Sequence, residues 1–493
     1  MPAYRPSRAL VLSTAVIAAV TLQACASQAG SPATAQSGTT AISASDKRQG
    51  AEAHPQLLQE FGGAMTGPQA AYVEKIGKDI AVQSGLSNAR GDFTVSLLNS
   101  PVNNAFAIPG GYVYVTRQLA TLMNNEAELA GVLGHEVGHV AARHAQKRQS
   151  AAQRNSILGA LGTLLSGAIL GNGSLGQLGQ QIFSSGSQLL TLKYSRGQET
   201  EADNLGITYL QRAGYDPRAM STVLQSLAAQ NTLDASLKGT ANQVPEWAST
   251  HPDPASRVRA ALAKAGSRTG ITNRDVFLAG VNGLTYGDDP AQGIVDGSRF
   301  THPTLRLGFT APNGFYMVNG TRAVSISGQS GKGEFSTATY NGSLENYVRT
   351  VFAGLSNQQQ LAPSTSERTT VNGIPAAYGA ARVNSGNGQV DVVVFAYEFG
   401  PNQAYHFATI SQAGQASQFD SMFRSIRRLS ATEASAVKPR RLSVVTVKSG
   451  DTLQSLSARM AYTDRPLERF LVLNGLSSTS RLTPGQKIKL VVY

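Results

Sequence analysis

Three residues in one short stretch carry the first chemical signal. Residues 131–144 read GVLGHEVGHVAARH, with His135, Glu136 and His139 in the order H-E-x-x-H. On an α-helix, residues four apart lie one turn above each other, so both histidines can aim a ring nitrogen at a single point. Such a point suits a zinc ion. Glu136 follows the first histidine and falls beside that point rather than on it, where its carboxylate can take a proton from a water held by the metal. The pattern is short, and two unrelated histidines on a solvated helix would produce it as well.

The elements that must position these residues are legible nearby. Asn125 followed by Glu128 predicts an N-cap with its capping-box partner, and Leu129, Val132, Leu133, Val137 and Val140 recur at helical spacing. That stripe predicts one buried side and a histidine side facing a cleft. Gly134 and Gly138 each cost about 1 kcal/mol relative to alanine in a helix interior. Two of them flanking the ligands suggest that something approaches the backbone closely, and a tight helix crossing would demand the same residues. A hydrolytic zinc site commonly uses three protein ligands and leaves one position for water. The third candidate is Glu199 in residues 194–206, YSRGQETEADNLG, on a second helix that continues through Leu205, Ile207 and Leu210. Asp203, one turn on, can accept a hydrogen bond from the outer nitrogen of a ligating histidine and so fix its tautomer. A solvated acidic helix face would look similar.

Together HEVGH and ETEAD resemble the glutamate-zincin family that includes the CAAX prenyl endopeptidases, the membrane heat-shock protease and a periplasmic protease attending β-barrel assembly. The likeness extends to residues 99–115, NSPVNNAFAIPGGYVYV, which are similar to the strand and turn that precede the family's active-site helix. The resemblance implies a mainly α zincin-like metalloprotease domain over residues 51–265, with one Zn2+ per chain held by His135, His139 and Glu199. It also implies Glu136 as the catalytic base, Asp203 behind a ligand, and an edge strand that holds extended polypeptide substrates by backbone pairing. Residues 249–257, STHPDPASR, resemble the HPxxxxR segment of periplasmic members. There the histidine can take the fourth metal position and hold the enzyme latent. His251 is thus a candidate fourth ligand or switch, and Arg257 a candidate substrate or transition-state contact. A turn histidine before Pro252 is the other reading of His251.

The whole chain has 493 residues, 41% of them hydrophobic and 15% charged, which predicts a folded core and about three domains. Arg5 and Arg8 precede an apolar run from Ala9 to Leu22, the layout of a secretory signal over residues 1–24. Residues 22–25, LQAC, resemble a bacterial lipobox, with Cys25 as the lipidated first residue of the mature chain. An uncleaved membrane anchor is the alternative, for which the run is short. Cys25 is the only cysteine, so no intramolecular disulfide forms. Ala26 and Ser27 follow it without an aspartate, which by resemblance favours the outer over the inner membrane and places the chain in the bacterial periplasm. Residues 25–50 read as a flexible tether. A helix in GPQAAYVEKIGKDIAVQSG and a strand in FTVSLLNS come next. Residues 156–192, rich in Gly, Leu and Ser, are too short in their apolar part to span a membrane and read as a mobile helical lid or a plain surface hairpin.

From about residue 273 the composition shifts to short alternating strands, predicting an α+β domain over 273–430 that resembles PsbP-like modules. His302 and His406 stand alone there and read as structural. After a linker at 431–441, residues 442–493 resemble a LysM domain, through VTVKSGDTLQSLSARM, NGL and LTPGQKIKL. This implies a small βααβ fold and a peptidoglycan partner. Gly450, Asp451, Thr452, Leu453, Asn474 and Gly485 carry the pattern, most of them to hold the fold. The formal charge of +12 is spread along the chain and suits anionic partners. No basic stripe with interleaved aromatics appears, so nucleic acid is not expected. The expected function is a lipid-anchored zinc endopeptidase degrading misfolded or stalled envelope proteins. A chaperone or scaffold with a latent zinc site and a peptidoglycan-remodelling hydrolase are the alternatives.

Overall fold

Ser43 opens the described part of the chain as a helix cap. The computed structural model describes residues 41–151, 194–238, 251, 253–355, 361–384 and 388–493. The signal 1–24, Cys25, most of the 25–50 tether and the 156–192 lid lie outside the described residues. Ser43 Oγ accepts from Asp46 N while the Asp46 carboxylate accepts from Ser43 N, a capping box that starts α1 (Ala44–Glu60). The stretch expected to be tether up to residue 50 is therefore helical from Ala44. Gly50 is buried so tightly that a Cβ would meet the Pro109 carbonyl at 2.5 Å, and Leu57 and Phe61 pack on Phe106, Ile108 and Tyr114. The polar composition of this segment conceals that anchoring.

The protease-like region combines a small sheet with a ring of helices. α2 (Pro68–Ala81) has Pro68 at its first position, where a missing N–H costs no helical bond. Strands β1 (Thr94–Leu98), β2 (Ala105–Ile108) and β3 (Tyr112–Thr116) form a sheet in the order β1-β3-β2, with β1 parallel and β2 antiparallel to β3. β2 is thus an edge strand, and it packs beside the helix Glu126–Ala141. Helices α3 (Arg117–Leu122), α4 (Glu126–Ala141), α5 (His144–Ala151), α6 (Arg196–Arg212), α7 (Ala219–Lys238) and α8 (Pro254–Ala265) complete the region. Asn125 caps α4 as expected. Glu128, however, does not return a bond to the cap: its carboxylate accepts from Asn124 N and the Thr222 hydroxyl, because it points inward. Every residue of α4 from Glu126 to His139 is buried, so the helix runs through the core instead of lying along a cleft.

The residues just past the compositional shift at 273 pack on the preceding region. α9 (Arg274–Val281) buries Phe277, Leu278 and Val281 in the core that holds Ile76 and Leu129. β4 (Thr285–Tyr286) then pairs with Arg440 and Arg441 near the C-terminal end of the chain. The β-rich module begins with β5 (Ile294–Asp296), β6 (Arg299–His302) and β7 (Leu307–Thr310), and continues through β8 (Tyr316–Asn319), β9 (Val324–Ser327), β10 (Gly331–Thr337) and α10 (Leu344–Gly354). β11 (Thr365–Val371), β12 (Ile374–Asn384), β13 (Gln389–Gly400) and β14 (Gln403–Gln412) follow, then α11 (Asp420–Ser425) and β15 (Arg427–Arg428). Its main sheet is antiparallel in the order β11-β12-β13-β14-β10-β9-β8. α10 covers one face through Tyr347, Val348 and Phe352, and Phe419, Met422 and Phe423 cover the other. β11 and β12 escape sequence patterning because β11 is exposed along six of its seven residues and the inward side of β12 is built largely of alanine. His406 sits between Ser336 Oγ and Tyr347 Oη, a structural position.

A short helix α12 (Ala431–Ala436) occupies the expected linker, and β16 (Arg440–Thr446), α13 (Leu453–Ser457), α14 (Pro466–Asn474) and β17 (Lys487–Val492) complete the chain. The motif residues here hold turns and caps. Gly450 has φ +89°, Asp451 Oδ2 accepts from Lys448 N, and Thr452 caps α13. Asn474 Nδ2 donates to Lys489 O and its Oδ1 accepts from Lys489 N, tying α14 to β17. Among the described residues, no helix is long and apolar enough to cross a membrane.

This module is not an appendage. Its Leu442, Leu456, Phe470 and Leu490 share one apolar core with α2, α4 and α7. Lys489, fully buried, donates from Nζ to the carbonyls of Thr121, Leu122 and Met123 at 2.8, 3.2 and 2.6 Å. These are end carbonyls of α3, which no further helical turn satisfies. Burial lowers the pKa of Lys489 to about 7, opposed by the buried Glu128 at the start of α4. Replacing Lys489 with methionine leaves those carbonyls and Glu128 without their cation. We predict that Lys489→Met lowers the urea unfolding free energy by about 3–5 kcal/mol. With Glu128→Gln added, the loss should fall short of the sum of the two single losses.

Candidate metal centre

The site begins where α4 and α6 touch. A Cβ on Gly138 would lie 3.2 Å from Ala202 O, one on Gly134 would lie 3.5 Å from Gly206 Cα, and one on Gly206 would lie 3.0 Å from His135 N. The glycines of the H-E-x-x-H helix therefore serve a tight helix crossing. This contact lets Glu199, near the start of α6, reach the histidines of α4, and the capping box of Ser195 and Gln198 fixes where α6 starts.

Four side-chain donors converge. His139 Nε2 lies 3.0 Å from His135 Nε2 and 3.4 Å from Glu199 Oε1, and His135 Nε2 lies 3.7 Å from Glu199 Oε2. His251 Nδ1 lies 3.2 Å from both Glu199 oxygens and 3.4 Å from His135 Nε2. A tetrahedron with metal–ligand bonds of about 2.0–2.1 Å has edges of about 3.3–3.4 Å. The donor set, three imidazole nitrogens and one carboxylate oxygen, therefore fits zinc in both chemistry and spacing. All four residues are buried.

Electrostatics around the donors are strongly shaped. Burial opposes the charge of Glu199, but His251 and the hydrogen bonds from His139 and His251 outweigh it and hold the carboxyl below the usual carboxylate range. Burial also opposes the charge of Asp203, offset by Arg257 and His135, with a net lowering. Asp203 Oδ1 stands 2.9 Å from His135 Nδ1. Burial pushes His139 well below its ordinary value, despite its bond to Glu199. For His251 burial acts downward, and Glu199 with Glu136 reverses it to a net rise. Glu136 is pushed up by burial, and its Oε1 has no hydrogen-bond partner, lying 3.5 Å from His251 Nε2.

Arg257 pairs with both carboxylates of the site. Nε and Nη2 donate to the two oxygens of Asp203 at 2.7 and 2.5 Å, and Nη1 donates to Glu199 Oε2. It braces the carboxylates of the site from behind, with only 7% of its surface exposed. Two neighbours were not anticipated. Tyr194 stacks on His139 with ring centroids 3.7 Å apart, and His144 Nδ1 lies 2.8 Å from His139 Nδ1. His144 is in the same GHVAARH stretch, but five residues from His139 it falls off the face that helical spacing singles out.

With this geometry in view, similarity to known proteins can be weighed. Residues 68–265 match the model of Peptidase family M48, and residues 445–491 match the LysM domain. The chain is 34% identical over 197 residues to the Beta-barrel assembly-enhancing protease of Yersinia pestis, covering 39% of this chain and 38% of that protein. It is 31% identical over 217 residues to the mitochondrial metalloendopeptidase OMA1 of Schizosaccharomyces pombe, covering 43% and 59%. To the Beta-barrel assembly-enhancing protease of Escherichia coli K12 it is 31% identical over 214 residues, covering 42% of each. The matches thus span 38% to 59% of the relatives' lengths.

The helix crossing yields a prediction. At Gly206 a methyl group would also meet Met220 Cε at 2.7 Å. The methionine end can swing aside, but the His135 backbone cannot, so α6 must retreat and carry Glu199 with it. Gly206→Ala should weaken zinc binding about tenfold or more, measured by chelator competition. Gly197→Ala on the same helix, where the nearest atom is Ser195 Oγ at 3.9 Å, should leave it unchanged.

Proposed function

We propose that this chain is a zinc-dependent endopeptidase of the bacterial envelope, a reading supported by the match of residues 68–265 to the model of Peptidase family M48 and of residues 445–491 to the LysM domain. One observation carries the reading: four buried donors spaced as a zinc tetrahedron, with the carboxylate of Glu136 beside them and one of its oxygens unpartnered. We propose His135, His139 and Glu199 as the metal ligands. When bound, zinc supplies Lewis acidity and lowers the pKa of a water to about 7. Glu136 then accepts the proton of the attacking water and returns it to the leaving amine. Burial raises the pKa of Glu136 above its ordinary value, opposed by His251 and His135. Asp203 holds His135 in the tautomer that leaves Nε2 free to bind, and Arg257 fixes Asp203 and Glu199. In this reading β2, at the edge of the small sheet beside α4, would hold an extended polypeptide by backbone pairing, which favours broad sequence tolerance.

The substrates we propose are misfolded or stalled envelope proteins, outer-membrane β-barrels among them, a reading supported by the names of the relatives. Cys25 would carry the lipid anchor, the outer membrane would be its location, and the LysM module would bind peptidoglycan. In this reading the β-rich module is PsbP-like. Because the LysM module shares a core with the metal helix, wall binding would fix the orientation of the whole catalytic body.

His251 favours a second state of the same protein. With Nδ1 at the fourth corner His251 would leave no open position for water, and we propose that it acts as the switch between a closed and an open site. A chaperone or scaffold role with latent zinc would use this closed form.

Two measurements test these readings. At equal zinc occupancy, Glu136→Gln should lower casein hydrolysis by about 10²–10⁴-fold. His251→Ala should raise casein hydrolysis roughly tenfold, if the closed form outnumbers the open one by that factor. Retained hydrolysis in Glu136→Gln contradicts the mechanism, and muropeptide release from sacculi without casein cleavage would favour a wall hydrolase.

A further inference from the structure

His144 is buried against the metal centre, and nothing in the proposed reaction uses it. In an unbroken helix, five residues correspond to a rotation of about 140°, which would turn His144 away from His139. The helix is broken. α4 ends at Ala141, Ala142 caps it, and Arg143 takes the left-handed conformation with φ +54° before α5 starts at His144. A side chain other than glycine rarely adopts that backbone, and surrounding packing must hold it. Its effect is to swing the His144 ring back against the first helix. Its Nδ1 then stands 2.8 Å from His139 Nδ1, with ring planes at 69°.

The proton count along this contact has one solution. His139 Nε2 faces the ligand point, 3.0 Å from His135 Nε2 and 3.4 Å from Glu199 Oε1, so a ligating His139 must carry its proton on Nδ1. That N–H needs an acceptor, and His144 Nδ1 can accept only if its own proton sits on Nε2. His144 Nε2 is 3.1 Å from Glu201 Oε2, an acceptor that admits this tautomer. Glu201 is 51% exposed while the His144 side chain is fully buried, so the chain of bonds runs from the metal centre to the surface. The other ligand, His135, has the same support in shorter form, with Asp203 directly at Nδ1.

We propose that His144 is a positioning residue for the metal site: it accepts the Nδ1 proton of His139, passes orientation to Glu201 through its own Nε2–H, and thereby holds His139 Nε2 on the zinc. The pair His144 and Glu201 does for His139 what Asp203 does for His135. Support of this kind changes metal affinity by about 10–100-fold. The inference rests on the zinc reading above, and a wild-type chain that binds no zinc would overturn that reading instead.

Zinc affinity of the full chain, measured by competition with a chromophoric chelator, tests it. His144→Leu should weaken binding about 10–100-fold. His144→Asn, whose Oδ1 can stand where Nδ1 stood, should recover most of the loss, with the zinc-free unfolding temperatures of the two variants equal. Wild-type affinity in His144→Leu, or equal weakness in both variants, overturns the proposal. A measurement free of any variant covers the case in which the leucine chain fails to fold. In the zinc-loaded, 15N-histidine-labelled chain, His144 should show a protonated Nε2 and a bare Nδ1. A proton on His144 Nδ1 would overturn the proposal.

Discussion

The close crossing of α4 and α6 is the constraint on which the rest of the site depends. His135 and His139 share a helix, so their mutual geometry comes with the backbone. Glu199 comes from a helix 60 positions later in the chain, and only the near-contact of Gly134 and Gly138 with Ala202, Leu205 and Gly206 brings its carboxylate to the same point. A methyl group on Gly138 or Gly206 would press on the facing backbone, at 3.2 Å from Ala202 O and 3.0 Å from His135 N, and so add distance to the ligand set. The two glycines in α4 are intrinsically unfavourable by about 1 kcal/mol each, and the approach they permit explains their presence.

Around that crossing, charge is arranged in layers that compensate one another. Two carboxylates buried at Glu199 and Asp203 would be costly alone, and Arg257 with the site histidines balances them. Farther out, the start of α4 is secured by a different pair, Glu128 and Lys489, the latter supplied by the last strand of the chain. The C-terminal module thereby completes the electrostatics at one end of the metal helix. The C-terminal module is thus joined directly to the helix that carries His135 and His139.

Much of the centre was legible from the chain because its parts are local patterns. H-E-x-x-H at helical spacing, the Asn125 cap and the pair Glu199 and Asp203 each express a rule that operates within one turn of helix. What could not be read depends on long-range packing. The role of Arg257 follows from burial against Glu199 and Asp203, which a motif does not encode. His144 stays hidden because the left-handed Arg143 changes the direction of the chain between two helices. The helix at residues 44–60 lacks a strong apolar stripe, and its burial rests on Gly50, Leu57 and Phe61. Likewise, α9 falls within a compositional shift yet contributes Phe277 to the protease core, and β12 replaces the usual β-branched pattern with alanines beneath a helix.

The most direct test of the account is zinc K-edge X-ray absorption on the zinc-loaded full chain. The geometry predicts one zinc per chain in a four-coordinate nitrogen and oxygen shell, with bonds near about 2.0–2.1 Å and the outer-shell scattering of imidazole rings. That histidine signature should diminish in His139→Ala. A six-coordinate oxygen shell, or a spectrum unchanged by removing His139, would contradict the assignment of the metal to the crossing of α4 and α6.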